Sequence, residues 1–370
     1  MGQNMNNGYW ESFIDMYRKH NVSQQPLLRP QDAERNFNLD LIRLIAIFLV
    51  ISVHFFWNSG FYQEIVIGHK CFLMILIRTL SMTCVPLFLL LTGYLMSIKK
   101  IELDFRYFFR IIRVVGIYIL STILILFFTK NYLHQNINIF WNIINFQQYS
   151  WYVNMYIGLF VIIPFLNIIW QNLKTEKQKK YLLFSFLLLT VFPSIVIQTG
   201  FKWWLSLYPV TYYFLGAYLV DKEALMIVNR KKLCTLLVVS LFLFGSLNYV
   251  RSFNRLFIWD GWNEYESFQN TVNAVLLFSL LKSIPFNKAY ESFFKKTVRK
   301  IADLSYSMYL TSWIVDQIVY EKLKVFVLLQ DRAYYYLPCV MIVFFGSFCL
   351  AFVVDKVYNI IFKTVTFLRQ

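Results

Sequence analysis

Apolar stretches of about 20 residues, the length that an α-helix needs to cross a bilayer, recur along most of the chain. Hydrophobic residues make up 58% of the 370 residues and charged residues only 15%, whereas a soluble domain carries about 25% charged residues. Because backbone polar groups must pair internally in lipid, these stretches are expected to be helices. The sequence therefore predicts an all-α polytopic membrane protein with about ten transmembrane helices.

The distribution of basic residues predicts the orientation of this bundle. With both termini in the cytoplasm, the cytoplasmic segments and their borders carry 25 of the 36 Lys and Arg residues, and the outside loops carry 8. This asymmetry follows the positive-inside rule. Topology thus explains the net charge of +16, and nucleic-acid binding is not expected. The ten spans are predicted at residues 39–59, 73–98, 109–129, 151–170, 181–199, 205–220, 233–250, 268–286, 302–320 and 334–355.

The chain is predicted to form one membrane domain, residues 39–355, between two cytoplasmic segments. In the N-terminal segment, residues 1–38, apolar side chains from Trp10 to Tyr17 recur at helical spacing, which is typical of a short interfacial helix on the inner leaflet. Residues 356–370 are predicted to be a cytoplasmic tail. The five cysteines lack the spacing of a metal site, so no metal is expected.

Three ionisable residues lie within the first predicted span, and two of them, Arg43 and His54, lie inside its apolar stretch while Asp40 lies at its start. Ionisable side chains in a membrane helix usually face the bundle interior or a water-filled cavity. Eleven positions at about 100° each bring the two residues to within about 20° of one another, and they lie about 16–17 Å apart along the axis. Asp40 can pair with Arg43 one turn later or stabilise the helix N-terminus. This pair marks a candidate site.

The second predicted span contains a proline and a glycine that shape the helix. Pro86 is expected to kink the span, either beside a cavity or as simple packing, and Gly93 allows close helix contact. Arg78, in the same span, is an intramembrane cation with no identified partner. It is expected to extend toward an interface.

A stripe of arginines precedes the third span. Arg106, Arg110 and Arg113 recur at i, i+4 and i+7, so they are predicted to share one helix face. Such a stripe can hold phosphates through charge-assisted hydrogen bonds or contact anionic lipid headgroups. The sequence leaves both interpretations open.

Later spans add aromatic and acidic candidates. Trp151 and Tyr152 open the fourth span, where an outer aromatic belt is expected. Asp316, in the ninth span, is a carboxylate within or near the membrane. It is a candidate partner for His54, or it lies at a water-exposed helix end.

Taken in order, these segments resemble acyltransferase family 3, bacterial membrane proteins that O-acetylate cell-surface sugars. Arg43 and His54 match the family's Arg-x10-His signature, and residues 86–94 match its Pro-x-Phe-x-x-x-(Ser/Thr)-Gly-Tyr segment. The resemblance extends over roughly residues 36–355. Further matching segments, in the expected order, are Arg110 with Arg113, Trp151-Tyr152, Phe214–Gly216 and Ser305–Leu310.

The resemblance implies transfer of an acyl group, expected to be acetyl, from cytoplasmic acetyl-CoA to a hydroxyl of a cell-surface or lipid-linked polysaccharide at the bacterial cell membrane. His54 then acts as general base or carries the acyl group as a nucleophile. Arg43 holds the donor's phosphates or polarises its thioester carbonyl, while Arg110 and Arg113 add phosphate contacts. The residues expected to bind or support the substrates are Asp40, Tyr94, Trp151, Tyr152 and Asp316.

Two features depart from the family pattern. Family members often carry a histidine two residues after the Tyr-Leu pair of the ninth span, and Ser312 stands there in this sequence. No role of that histidine is carried over. Longer members also carry a soluble hydrolase-like domain, and the sequence to Gln370 resembles the short, membrane-only type.

Two other classes compete with the acyltransferase interpretation. In a transporter or flippase, Arg43, His54 and Asp316 would form a relay for protons or substrate. The paired broken helices of an inverted repeat are not evident in the sequence, which disfavours this class. A membrane scaffold without activity is the third class. Dependence on an acyl thioester would distinguish the enzyme from a carrier.

Overall fold

The computed structural model describes residues 35–99, 105–134, 150–196, 200–285 and 293–367, which form α-helices and short 3₁₀ helices and contain no β-strand. The predicted all-α fold is confirmed. The predicted interfacial helix between Trp10 and Tyr17 lies outside the described residues. The α-helices are α1 (Phe37–Asn58), α2 (Gly68–Ser81), α3 (Cys84–Met96), α4 (Phe105–Phe109), α5 (Ile111–Asn131), α6 (Trp151–Asn172), α7 (Glu176–Thr190), α8 (Tyr208–Asp221), α9 (Glu223–Val228), α10 (Arg230–Ser252), α11 (Phe268–Lys282), α12 (Phe293–Phe326) and α13 (Tyr336–Phe367).

Within the described residues, six helical segments are long and apolar enough to cross a membrane. The other predicted spans correspond to α7, α8, α11 and α12. The first three are 14 to 15 residues long, shorter than the roughly 20 residues that spanning requires, and α12 has 34 residues but carries several charges. The count of ten spans therefore stays a prediction. The six segments are Phe37–Gln63, Gly68–Met96, Tyr107–Asn131, Trp151–Asn172, Arg230–Ser252 and Leu329–Phe362.

The second predicted span is broken into two helices. α2 ends at Ser81 and α3 begins at Cys84. In a continuous helix the ring of Pro86 would clash with the carbonyl four residues earlier, that of Met82. Pro86 instead lies in the first turn of α3, where proline is tolerated. The predicted kink is present as a break one turn before the proline.

α1 lies at the centre of the bundle. It packs against α2, α3, α11, α12 and α13, and its N-terminus is capped by Asn36, whose side chain accepts a hydrogen bond from the backbone of Asn38 at 3.0 Å. Every residue of α1 except Trp57 is buried or half-buried. The polar side chains of α1 therefore face other helices rather than lipid.

Two glycines allow α3 and α8 to touch through their backbones. A Cβ atom added at Gly93 would overlap the carbonyl oxygen of Tyr213, and one added at Gly216 would overlap the carbonyl oxygen of Leu90. Small residues at such points permit the close approach of membrane helices. The close contact predicted for Gly93 is confirmed.

We expect Gly216→Ala to lower the thermal unfolding midpoint of the detergent-solubilised protein. The new methyl group meets backbone that cannot rotate away, so the helices must separate, and overpacking of this kind costs about 1–3 kcal/mol or more. Gly158→Ala is the matched control, because an added Cβ there meets nothing within 4 Å. It should keep or raise the midpoint, since alanine favours helix. Equal midpoints for the two variants would contradict the proposed clash.

Candidate active site

A cavity of about 650 Å³ opens inside the bundle beside α1. Its walls come from α1, α3, α5, α6, α12 and α13 and from the loop before α11. Arg43 and His54 both line it. The helix face that their eleven-residue spacing defines is thus the face that borders the cavity.

The two ends of the cavity differ in chemistry. Because α1 runs from Arg43 to His54, these residues mark opposite ends, about 16 Å apart along the helix axis. The basic end is lined by Arg43, Lys99, Arg113 and Lys300. The histidine end is lined by His54, Trp151, Tyr152 and Tyr265.

His54 is held by a buried carboxylate from α12. Its Nδ1 lies 2.7 Å from Oδ2 of Asp316, and the aspartate side chain is 2% exposed whereas that of the histidine is 27% exposed. The predicted contact between these two residues is therefore present. An ionised carboxylate only accepts hydrogen bonds, so Nδ1–H donates and Nε2 keeps its lone pair. The imidazole is oriented with one nitrogen free to take a proton.

Arg43 is positioned by Asp40, which lies one turn earlier on α1. The guanidinium Nη1 donates to Oδ1 of Asp40 at 2.8 Å. The same carboxylate is buried and also accepts from Arg35, which in turn donates to Asp303. The predicted pairing is present, and it directs the guanidinium of Arg43 toward the start of α1, away from His54.

The basic end carries an excess of positive charge. Two carboxylates also line it, Asp303 and Asp355, and the second accepts from Nη2 of Arg113 at 3.0 Å. Burial, and then the positive charges of Arg110 and Arg43, lower the pKa of Lys99. Four cations against two carboxylates make this end suited to a polyanionic group such as a phosphate chain.

Aromatic side chains shape the histidine end. Trp151 stacks on Tyr265 with ring centroids 5.6 Å apart, and Tyr152 stacks on Tyr156 at 6.1 Å. The hydroxyl of Tyr309 accepts from the backbone of Tyr152 at 3.4 Å. This wall gives a flat, amphipathic surface beside the imidazole.

A comparison of the chain with known protein families agrees with the geometry of the cavity. The model of a family described as an acyltransferase domain matches residues 36–354. The chain belongs to acyltransferase family 3. Neither the curated proteins nor the solved structures give a significant match. As a member of this family, the protein is a membrane acyltransferase whose cavity is the candidate active site.

Tyr94, at the end of the family segment, supports helix packing and does not line the cavity, whereas Phe88, Leu91 and Thr92 of the same segment do. The hydroxyl of Tyr94 donates to Glu223, and Lys282 donates to the same carboxylate. Tyr94 is therefore not brought together with His54. Ser312, at the position where family members often have histidine, is buried and donates to the carbonyl of Tyr309 on its own helix, so it does not reach the cavity either.

The predicted arginine stripe is interrupted at Arg110, because α4 ends just before this residue and α5 begins just after it. Arg110 is exposed and does not line the cavity, although its charge acts on Lys99. Arg113 does line the cavity. The side chain of Arg106 is outside what the structure describes.

The expectation that Arg78 extends toward an interface is wrong. The residue is 1% exposed, and its guanidinium donates to the hydroxyl of Tyr62 at 2.9 Å and to Oδ1 of Asn263 at 3.0 Å. It also lies over the rings of Phe257 and Trp259 at 4.4 and 4.3 Å. The rings, the hydroxyl of Tyr62 and the amide of Asn263, rather than water, compensate the desolvation of the guanidinium.

Several residues that line or support the cavity could not be predicted from the sequence. Lys99 and Lys300 belong to basic clusters that topology alone explains, and Arg35 precedes the first span. Their meeting at one end of the cavity depends on how α1, α5 and α12 pack. The only sequence signal is that these clusters lie on the same predicted side of the membrane as Arg43.

Proposed function

We propose that this acyltransferase moves an acetyl group from acetyl-CoA on the cytoplasmic side to a hydroxyl of a cell-surface or lipid-linked polysaccharide on the outer side of the bacterial cell membrane. The observation that carries the proposal is one cavity that joins a cationic end to an imidazole held by a buried carboxylate. The predicted topology places the basic end at the cytoplasmic face and the histidine end toward the outside.

The basic end fits the phosphate groups of the donor. Arg43, Lys99, Arg113 and Lys300 present guanidinium and ammonium groups to the cavity, and such groups bind phosphate oxygens through charge-assisted hydrogen bonds. Because the guanidinium of Arg43 is turned toward Asp40, it is too far from His54 to polarise a thioester carbonyl there. Of its two predicted roles, the geometry supports phosphate binding.

His54 is suited to remove the proton from the acceptor hydroxyl. Nε2 takes that proton as the hydroxyl oxygen attacks the carbonyl carbon of the thioester. A C–O bond forms, the C–S bond breaks, and the imidazolium returns the proton to the departing thiolate, so that the products are the ester and free CoA. Asp316 stabilises the positive imidazolium and fixes the ring orientation, as in carboxylate–histidine pairs of other acyl-transfer enzymes.

The experiment that tests this function uses the purified protein in nanodiscs with radiolabelled acetyl-CoA and a total envelope glycan extract. We expect label in the glycan and stoichiometric release of CoA, and excess unlabelled CoA should compete. A transporter needs no thioester. Glycan binding or movement without CoA release, in protein shown to be folded, would therefore favour the transporter class and contradict the proposal.

We expect Arg43→Ala to raise the KM for acetyl-CoA by about 10–100-fold, the loss expected for a charged hydrogen bond of about 1.5–3 kcal/mol. The KM for the glycan should change little. Steady-state kinetics with each substrate varied in turn measure both values. Arg230→Ala is the control, since Arg230 is exposed on α10 and is predicted to lie on the same side of the membrane. An unchanged donor KM in Arg43→Ala would contradict the phosphate role.

A further inference from the structure

A cluster of aromatic rings lies next to the histidine end and is not explained by the chemistry of the cavity. Trp57 follows His54 by one turn of α1, so the two side chains lie about 60° apart around the helix. Its ring centroid is 5.0 Å from that of Trp259 and 5.4 Å from that of Tyr62, and these two rings are 5.0 Å from each other. We call these three residues the aromatic platform.

Backbone hydrogen bonds and a buried cation hold the platform in place. Segments 59–67 and 253–267 are joined by backbone hydrogen bonds, from Val66 to the carbonyl of Arg255 at 2.9 Å and from Asn254 to the carbonyl of Val66 at 3.1 Å. Below the rings lies the buried Arg78, in contact with two of the three platform residues. A cation held over ring faces orients the rings. The platform is therefore preorganised.

The buried Arg78 depends on the platform. Among the described residues no carboxylate pairs with it, and its Nη2 has no hydrogen-bond partner. Burial of an unpaired cation is unfavourable unless other interactions compensate it. The ring contacts and the hydrogen bond to Tyr62 supply part of that compensation, so Arg78 and the platform hold one another in place.

The upper surface of the platform is open. Trp57 is 60% exposed, while the rest of α1 is buried or half-buried within five surrounding helices. A belt tryptophan faces lipid from the perimeter of a bundle, but Trp57 extends from the central helix. Its free ring surface therefore lies one turn of α1 beyond His54.

Polar groups lie beside Trp259 of the platform. Glu264 accepts from Nε1 of Trp259 at 2.6 Å, and Arg251 is paired with Asp260, both with side chains near one-third exposed. A flat aromatic surface bordered by carboxylates and a guanidinium fits a sugar ring, whose C–H face packs on the aromatic ring while its hydroxyls bond to the polar groups.

We propose that Trp57, Tyr62 and Trp259 form a second sugar subsite, which binds the residue adjoining the sugar that is acylated at His54. This inference rests on the proposed function. It identifies the acceptor as a chain of at least two sugars, because none of the three platform residues lines the cavity that His54 borders. A free single sugar would leave the platform unused.

The test compares acceptors of different length. Envelope glycans from the source organism are partly hydrolysed, separated by size, and offered with radiolabelled acetyl-CoA. We expect kcat/KM for chains of two or more sugars to exceed that for single sugars by about tenfold or more. Trp57→Ala should remove this preference with the KM for acetyl-CoA unchanged, and Trp57→Tyr should restore much of it.

Trp203→Ala is the matched control, because Trp203 is 91% exposed and is predicted to lie on the same side of the membrane. It should keep the preference of the wild type for longer chains. Equal use of all fractions by the wild type, or identical behaviour of Trp57→Ala and Trp203→Ala, would overturn the subsite while leaving the acyltransferase activity intact. If the wild type labels no fraction and releases no CoA, the proposed function itself fails, and the subsite with it.

Discussion

His54→Gln should reduce acyl transfer to glycan by about 10²–10⁴-fold, the contribution expected of a general base. The glutamine amide can still donate a hydrogen bond to Asp316, so the buried carboxylate keeps a partner. It cannot take a proton from the acceptor hydroxyl. His54→Ala should lose transfer as well, but it leaves Asp316 without its partner, which is destabilising in a buried site. The comparison separates loss of chemistry from loss of fold.

The measurement is release of CoA and labelling of glycan, with the amount and thermal unfolding midpoint of the purified protein recorded beside them. His69→Ala is the control, since His69 is exposed at the start of α2 and does not line the cavity. The binding of acetyl-CoA by His54→Gln should remain, because the residues proposed to bind its phosphates lie at the other end of the cavity. Transfer at the wild-type rate in a folded His54→Gln protein would remove His54 from the mechanism.

The parts of the site that depend on one helix could be predicted from the sequence. Arg43 and His54 share a face because helical periodicity is a local property, and both do line the cavity. Asp40 is within one turn of Arg43, so its pairing is also local. The break before Pro86 follows from the geometry of proline within the same helix. Each of these features requires no knowledge of the neighbouring helices.

The parts that depend on packing between helices could not be predicted in the same way. The sequence leaves Asp316 either as a partner of His54 or at a water-exposed helix end, and only the register of α12 against α1 brings it to Nδ1 of His54. Tyr94 has the right family motif, but its rotation on α3 turns it to Glu223. Arg78 lacks a partner within its own span: one partner, Tyr62, lies 16 positions before it and the other, Asn263, lies 185 positions after it. Helical spacing carries no information on such contacts.

Four of the ten predicted spans depart from the length and composition of a simple membrane span for a related physical reason. A hydropathy pattern identifies helices that face lipid along their length, but α8 and α11 are short and largely buried among other helices. α12 carries charges at its start that the cavity and Arg35 use. Helices that build a polar site depart from the length and composition of a simple membrane span. The residues that build the polar site are thus the ones that make the hydropathy pattern of these helices less typical of a membrane span.

Asp316→Asn should lower kcat by about 10²–10³-fold, with the KM values for acetyl-CoA and glycan changed much less. An amide has nearly the same shape as the carboxylate, so the packing around α12 is kept. It bears no charge to stabilise the imidazolium, and its NH₂ group can donate to Nδ1, which favours the tautomer with the proton on Nε2. That tautomer cannot accept the hydroxyl proton. The effect is on the chemical step rather than on binding.

Single-turnover experiments with saturating substrates measure this step directly. Asp221→Asn is the control, because Asp221 is an exposed carboxylate paired with Lys179 at 2.7 Å, away from the cavity. Combining Asp316→Asn with His54→Gln should cost no more than His54→Gln alone, since the two residues act as a unit. Additive losses in the double variant would show that Asp316 acts independently of His54, and that its hydrogen bond to Nδ1 serves the fold rather than the transfer.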